Sequence, residues 1–451
     1  LDLSPNIKLK LSQYLRETQS GSETVLRSAI GSRIDAESIL SGWDSIFNAN
    51  LDSLNDELYN LELLNRSKYG PRSISMPWED RAPGVFEYFD SPKFQRKPSQ
   101  DGTCPLRRLR PLSIDSAAYW LKNNTNSGLP FVTRKSEVKS LVTEDFDNLL
   151  GRKDPCILFT RTQEDRKTRT VWGYPIADTL NEMRFYRPVL EYQRKLPWRS
   201  ALLGPEAVDL AVTKIINLAM SKNNLLVSLD FSSYDASVKI GLQESAFKYI
   251  SDLFQERYSK DIDYIFNRFN EIGLITPSGI LSGPHGVPSG STFTNEVDSI
   301  VQYLCAKDYG LTDDCINIQG DDGVYAVEQP HQLFNHFRSY GLKVNSDKSY
   351  ISRNSVIYLQ NLHSTDYVDN GKFVGIYPTY RALGRIIFPE RYDKFSGYGV
   401  SGIDFNSIRA ISILENCSHH PLFEKLVGYV LSLDKYQLGF SQQGLNSFKL
   451  W

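Results

Sequence analysis

The chain has 451 residues, of which 41% are apolar, 12% aromatic and 23% charged, with a formal net charge of −2 at pH 7. That length exceeds one ordinary domain and predicts several subdomains around more than one core. The near-neutral balance excludes a surface that draws nucleic acid to itself as a whole, so a polyanionic partner has to meet basic groups gathered in an internal channel.

In chain order, residues 1–70 read as helical, with Leu51, Leu54, Leu58 and Leu61 at helical spacing. The stretch from Tyr69 to Pro111 is rich in Pro, Gly, Ser and Arg and predicts extended connections rather than a packed unit. The apolar run from Leu225 to Leu229 ends in Asp230 and predicts a buried strand. A helix follows, with Leu242, Ala246, Tyr249, Ile250 and Leu253 on one face. The loop Val287-Pro288-Ser289-Gly290 then feeds a helix whose apolar side carries Phe293, Val297, Ile300, Val301 and Leu304. Ile316 and Ile318 alternate into Gly320-Asp321-Asp322-Gly323, and Val324 to Val327 lead away, which predicts a hairpin. Strand, helix, helix and hairpin in that order predict an α+β unit with carboxylates at strand ends.

Cys104, Cys156, Cys305, Cys315 and Cys417 show no CxxC spacing, so neither a zinc site nor a disulfide framework is expected, in keeping with a reducing compartment. His419 and His420 read as part of a solvated loop. No apolar run approaches the length of a membrane span and no signal-peptide core opens the chain, so a soluble intracellular setting without a membrane partner is expected.

The chemistry lies in the carboxylates. Asp230 and Asp235 sit five apart, and Asp321-Asp322 occupy the hairpin tip. Carboxylates on adjacent strands can converge on Mg²⁺, and two ions roughly 4 Å apart can stabilise the attacking and leaving oxygens of a phosphoryl displacement. Taken singly, each motif has a plainer use: Gly-Asp-Asp-Gly as a turn, the aspartate pair as a cap.

Their order decides between these uses. Over about 240 residues the sequence resembles the viral RNA-dependent RNA polymerase family. Thr125-Asn-Ser-Gly128-Leu-Pro130-Phe is similar to motif G, and Lys167-Thr-Arg169 with Tyr174 through Arg184 to motif F. Asp230 and Asp235 match motif A, Ser289-Gly290 and Thr294 motif B, and Gly320-Asp321-Asp322 motif C. Gly341-Leu with Asp347-Lys348-Ser349 resembles motif D, and Tyr358-Leu359-Gln360 motif E. The forms of motifs B and C look most like those of double-stranded RNA viruses of the picobirnavirus and partitivirus kind, picobirnavirus foremost.

This resemblance implies a right-hand fingers–palm–thumb polymerase, with an antiparallel palm sheet flanked by helices. The expected division is an extension over 1–90, fingers over 91–220, palm over 221–239, a fingers insertion over 240–285, palm again over 286–368 and thumb over 369–451. The resemblance implies Asp230, Asp321 and Asp322 as catalytic metal ligands for two Mg²⁺ ions, with Mn²⁺ as a substitute. It implies Lys348 as the general acid for pyrophosphate, beside the alternative of a surface lysine paired with Asp347. Lys167 and Arg169 would grip the NTP triphosphate, joined by Arg161 and Arg166 unless these belong to a solvated loop. Asp235, Ser289 and Thr294 would recognise the ribose 2′-hydroxyl. Many family members carry Asn four residues after the motif B threonine; here Asp298 stands there, and the adjacent Asn295 is the expected compensation. Thr125, Gly128 and Pro130 would border the template. Gly286, Gly290 and Gly320 read as backbone devices.

The expected activity is template-directed RNA synthesis from NTPs, with primer-independent initiation. RNA template, nascent RNA, NTPs and viral capsid protein are the expected partners, in the virion interior and host cytoplasm. Tyr377, Tyr380, Phe388, Tyr392, Phe395 and Tyr398 offer a candidate stacking platform for the first nucleotide, with a packed core as the competing use. A reverse transcriptase would want a bulky residue at Asp235 and Tyr-x-Asp-Asp in place of Gln319-Gly320-Asp321-Asp322; an inactive palm would lack a metal aspartate.

Overall fold

The computed structural model describes residues 2–92, 94–100, 106–391, 395 and 399–450. It divides into two compact units. The first comprises Leu1–Ser20, Pro77–Thr160 and Thr170–Leu359. At its heart is an antiparallel sheet in the order Ile316–Gln319, Asp322–Val327, Leu225–Leu229, Tyr350–Ser352. Leu226 through Leu229 are all buried, as are Gly323 through Val327. Helices Pro205–Ser221 and Thr294–Tyr309 pack against these strands, which is why successive rather than alternate positions are buried along Leu226 to Leu229 and Gly323 to Val327. The carboxylates stand at the strand ends, where Asp230 and Asp322 are half-buried and Asp321 is exposed.

The predicted helices form at Ile240–Leu253 and Thr294–Tyr309; Leu242, Ala246, Ile250 and Leu253 are buried on the first, and Val297, Ile300, Val301 and Leu304 on the second. In a second sheet, Cys156–Thr162 runs parallel to Leu274–Thr276 through Cys156↔Leu274 and Ile157↔Ile275. The segment expected to be extended connections instead contains the helix Trp78–Glu87, because Trp78, Arg81 and Val85 fall at helical spacing and bury one face.

The second unit comprises Gly21–Met76, Arg161–Arg169 and Gln360–Trp451. Its helices gather around Trp43, Phe47, Tyr380, Leu383, Leu426 and Val430. Leu51 and Leu54 do not share a helix with Leu58 and Leu61. Leu51–Ser53 is a single 3₁₀ turn, and the α-helix Asp56–Ser67 starts only after Asn55, whose side chain caps the Leu58 N–H at 2.8 Å. His420 is not solvated: it is buried, its Nδ1 accepts the Leu422 N–H at 2.9 Å, and its Nε2 lies 3.4 Å from Glu62. Tyr377, Tyr380 and Phe388 are core residues, and Phe395 stacks on Phe405, so packing is the use these four aromatics serve. Tyr392, Tyr398 and Cys104 lie outside the described residues.

Candidate active site

The ladder between Leu225–Leu229 and Asp322–Val327 pairs Leu229 with Gly323, so one further step sets Asp230 beside Asp322. Gln319 pairs with Asp322, leaving Gly320-Asp321 as a two-residue turn. Gly320 has φ +64°, and a side chain there would meet the Asn295 amide at 2.9 Å. The motif B helix holds this turn from below: Ser299 Oγ accepts the Gly320 N–H at 2.8 Å and Gln302 Nε2 donates to its carbonyl at 2.7 Å.

Asp230 is held just as closely. Its N–H donates to Ser349 Oγ at 3.1 Å and its carbonyl accepts the Asn345 N–H at 2.8 Å, so the motif D loop locks the end of motif A. Three carboxylates on a rigid, hydrogen-bonded frame result. Among the described residues no three His, Cys, Asp or Glu side chains are drawn tightly enough to enclose an ion. An open set of this kind suits Mg²⁺, which retains water and takes oxygens from substrate phosphates.

Next to this frame lies a second polar group. The Ser289 hydroxyl donates to Asp235, and the buried Asp298 sets its carboxyl beside that of Asp235. The Tyr234 hydroxyl donates to the Asp298 carbonyl at 2.9 Å. Thr294 directs its hydroxyl to the Pro288 carbonyl at 3.1 Å, bracing the motif B loop. Asn295 does not join this group, because its side chain accepts from Arg199 at 3.2 Å and covers Gly320. Asp298, three residues on, is what the helix turns towards Asp235.

Tyr88 and Arg199 were not legible as site residues. The Tyr88 phenol lies beside Ser289, and Lys239 donates to the Tyr88 carbonyl at 2.8 Å. Arg199 is fully buried and makes a bidentate pair with Glu296 at 2.7 and 2.9 Å beneath the Gly320-Asp321 turn.

Thr125 lines a cavity of about 500 Å³ with Trp120, Lys122, Tyr186, Gly290 and Thr292. There the Arg187 guanidinium lies 3.7 Å from the centre of the Trp120 ring. Gly128 packs on the Tyr174 carbonyl, where a Cβ would come within 2.3 Å, and Pro130 follows a cis bond in the same turn.

Glu182 anchors the motif B loop from the neighbouring helix by accepting the Ser291 hydroxyl. Burial pushes its carboxyl up from 4.5 to about 8, with the nearby Asp178 adding to the shift. Because the folded value is raised, Glu182's stabilising contribution is complete below pH 4.5 and is lost as pH rises to about 8. Glu182→Gln does not titrate, so its stability relative to the natural chain is expected to rise between pH 5 and 8, by on the order of 2 kcal/mol or more. Thermal unfolding at the two pH values checks this, and an unchanged difference in Tm would sink it.

Lys348 is exposed on the motif D loop, where its N–H donates to Asn345 Oδ1 at 3.3 Å, one residue before the serine that holds Asp230. Lys167 and Arg169 belong to the second unit. In that unit Arg161 pairs with Glu390 at 3.4 Å and Arg166 with Glu23 at 2.8 Å, while Glu164 binds Arg72 and Arg381.

An antiparallel palm sheet with aspartates at a strand end and a hairpin turn is the framework of a template-directed polymerase. The family model for viral RNA-dependent RNA polymerase matches residues 112–370, and the chain belongs to this family. It is therefore an enzyme that binds RNA and NTPs and makes RNA on an RNA template. The chain is 27% identical to a potential RNA-dependent RNA polymerase of a human picobirnavirus (strain Human/Thailand/Hy005102/-), over 98% of this chain and 90% of that one. Similarity extends to the RNA-directed RNA polymerase of Cryptosporidium parvum virus 1 (strain KSU-1), at 24% identity over 62% and 57% of the two chains. The crystal structure of a human picobirnavirus RNA-dependent RNA polymerase is similar with a TM-score of 0.83 at 27% identity, covering 99% of this chain and 92% of that one. Its insertion-loop deletion mutant gives a TM-score of 0.84, with 99% and 95% covered.

Proposed function

We propose that the chain joins nucleotides by a two-metal-ion mechanism, with Asp230, Asp321 and Asp322 holding the ions. The observation that carries this is the ladder that sets Asp230 beside Asp322, with Asp321 on the adjoining turn. When bound, the Mg²⁺ pair supplies charge neutralisation at the triphosphate and lowers the pKa of the nascent 3′-hydroxyl. Asp235 and Ser289 read the 2′-hydroxyl of the incoming ribose, with Thr294 fixing the loop that carries Ser289. Lys348 serves as proton donor to the departing pyrophosphate: an ammonium on an exposed loop can reach a substrate oxygen, and its backbone is fixed beside motif A. The roles of Lys167 and Arg169 on the triphosphate rest on their motif F positions.

Thr125 meets the template at the cavity it shares with Trp120 and Arg187, where a flat ring and a cation suit unpaired bases and phosphate. The fingers, palm and thumb boundaries, primer-independent initiation, a capsid-protein partner and work inside the virion and host cytoplasm belong to the same reading. They are supported by the likeness to polymerases of double-stranded RNA viruses.

The test is incorporation of labelled NTPs by the purified chain on single-stranded RNA, with and without a primer, with Mg²⁺ or a chelator, and against dNTPs. Unprimed, NTP-selective synthesis that stops with the chelator is expected. Synthesis that persists in chelator would remove the metal mechanism, and a strict need for primer would remove the initiation mode.

A further inference from the structure

Asp298 is buried on the motif B helix, with its carboxyl beside that of Asp235. An ionised carboxylate only accepts hydrogen bonds, so two carboxyl groups set side by side away from water are stable together when one of them carries a proton to donate. The titratable groups facing Asp298 are Asp235 from the Tyr234–Ser237 turn, Asp321 from the hairpin, and the phenols of Tyr88 and Tyr234. All of them are acids. Asp298 Oδ1 is buried without a hydrogen-bond partner, a position a neutral carbonyl oxygen tolerates far better than a charged one.

Which of the two carboxyls keeps the proton follows from their surroundings. Asp235 is less buried and already receives the Ser289 hydroxyl, which stabilises its anion. Asp298 has no such donor in the described contacts, and burial followed by the Asp235 charge pushes its carboxyl well above the usual range.

We propose that Asp298 is a neutral carboxylic acid at pH 7 that donates to Asp235, orienting that carboxylate as the acceptor that distinguishes ribose from deoxyribose. Asp298 is thus a positioning residue, and an acid takes the place of an amide donor at this point of the helix. The selectivity half of this rests on the reading of Asp235 and Ser289 as the ribose contact. With both donors in place, Asp235 keeps its charge and one oxygen edge for the 2′-hydroxyl. Without the Asp298 proton, two adjacent carboxylates repel and the acceptor loses its orientation.

Two measurements on the full chain in Mg²⁺ buffer test this. Infrared spectra of protein labelled with ¹³C-carboxyl aspartate, taken at pH 7, are expected to show a protonated carboxylic acid band that disappears in Asp298→Asn. The ratio of NTP to dNTP incorporation is expected to stay within about twofold of the natural chain in Asp298→Asn, which retains a donor. It is expected to fall about tenfold or more in Asp298→Leu, which has none. A spectrum without the Asp298 band overturns the proton assignment, whether or not the leucine variant folds. Equal loss of discrimination in the asparagine and leucine variants overturns the donor role. Unchanged discrimination in Asp235→Leu, with the band intact, overturns the ribose reading and leaves the proton assignment standing.

Discussion

Asp321→Ala is expected to lower RNA synthesis by at least about a thousandfold, since on the proposed two-metal reading it removes a carboxylate that holds the cations on which the triphosphate charge is neutralised in the transition state. The fold should survive the change. Asp321 is exposed, and the turn is held through the backbone of Gly320, whose N–H and carbonyl bind Ser299 and Gln302. Among the described residues no ion pair or packing contact is lost with the Asp321 carboxylate, so thermal stability should be little changed. NTP incorporation and a melting curve on the same preparation check both halves. Synthesis within tenfold of the natural chain would end the assignment of Asp321 as a metal ligand. A collapsed melting temperature would mean instead that the turn depends on that side chain.

The second large effect is structural. Arg199 and Glu296 form a pair with essentially no exposure, and Arg199 also donates to Asn295 at 3.2 Å and to Gln319 at 3.3 Å. It thereby joins the start of the motif B helix to the strand that enters the Gly320-Asp321 turn. Arg199→Ala leaves Glu296 charged and alone in the interior and is expected to cost about 3–5 kcal/mol. Arg199→Lys should recover little, because an ammonium cannot reproduce the bidentate fork. The double change Arg199→Met, Glu296→Leu removes both charges and should restore most of the loss, which a double-mutant cycle measures. Hydrogen exchange at the Gly320 amide reads the local consequence, with faster exchange in Arg199→Ala. A loss below about 1 kcal/mol with unchanged exchange would show that the pair does not hold the turn.

Much of this site was legible before any fold was known. Strand-end aspartates, a Gly-Asp turn and a loop feeding a helix are local patterns, and their order along the chain carries the family's chemistry. Buried strands announce themselves as apolar runs, and the faces of Ile240–Leu253 and Thr294–Tyr309 follow from helical period alone. Period alone failed twice, once at a local cap and once where a partner comes from far along the chain. Leu51 and Leu54 keep the helical spacing, yet the Asn55 cap ends the argument from period. His420 reads as polar surface but is buried beside Glu62.

The sequence by itself determined the class of enzyme and the strand, helices and hairpin on which its aspartates sit, because those depend on residue type and spacing within short segments. Tertiary structure alone decided that Asp298 rather than Asn295 meets Asp235, that Tyr88 reaches Ser289 from 201 positions away in the chain (289 − 88), and that Arg199 ties Glu296 to Gln319. The physical reason is that a hydrogen bond requires an approach within about 3 Å, and a buried polar group accepts whichever partner the packing delivers. Neither distance nor burial is encoded in any one segment of the chain.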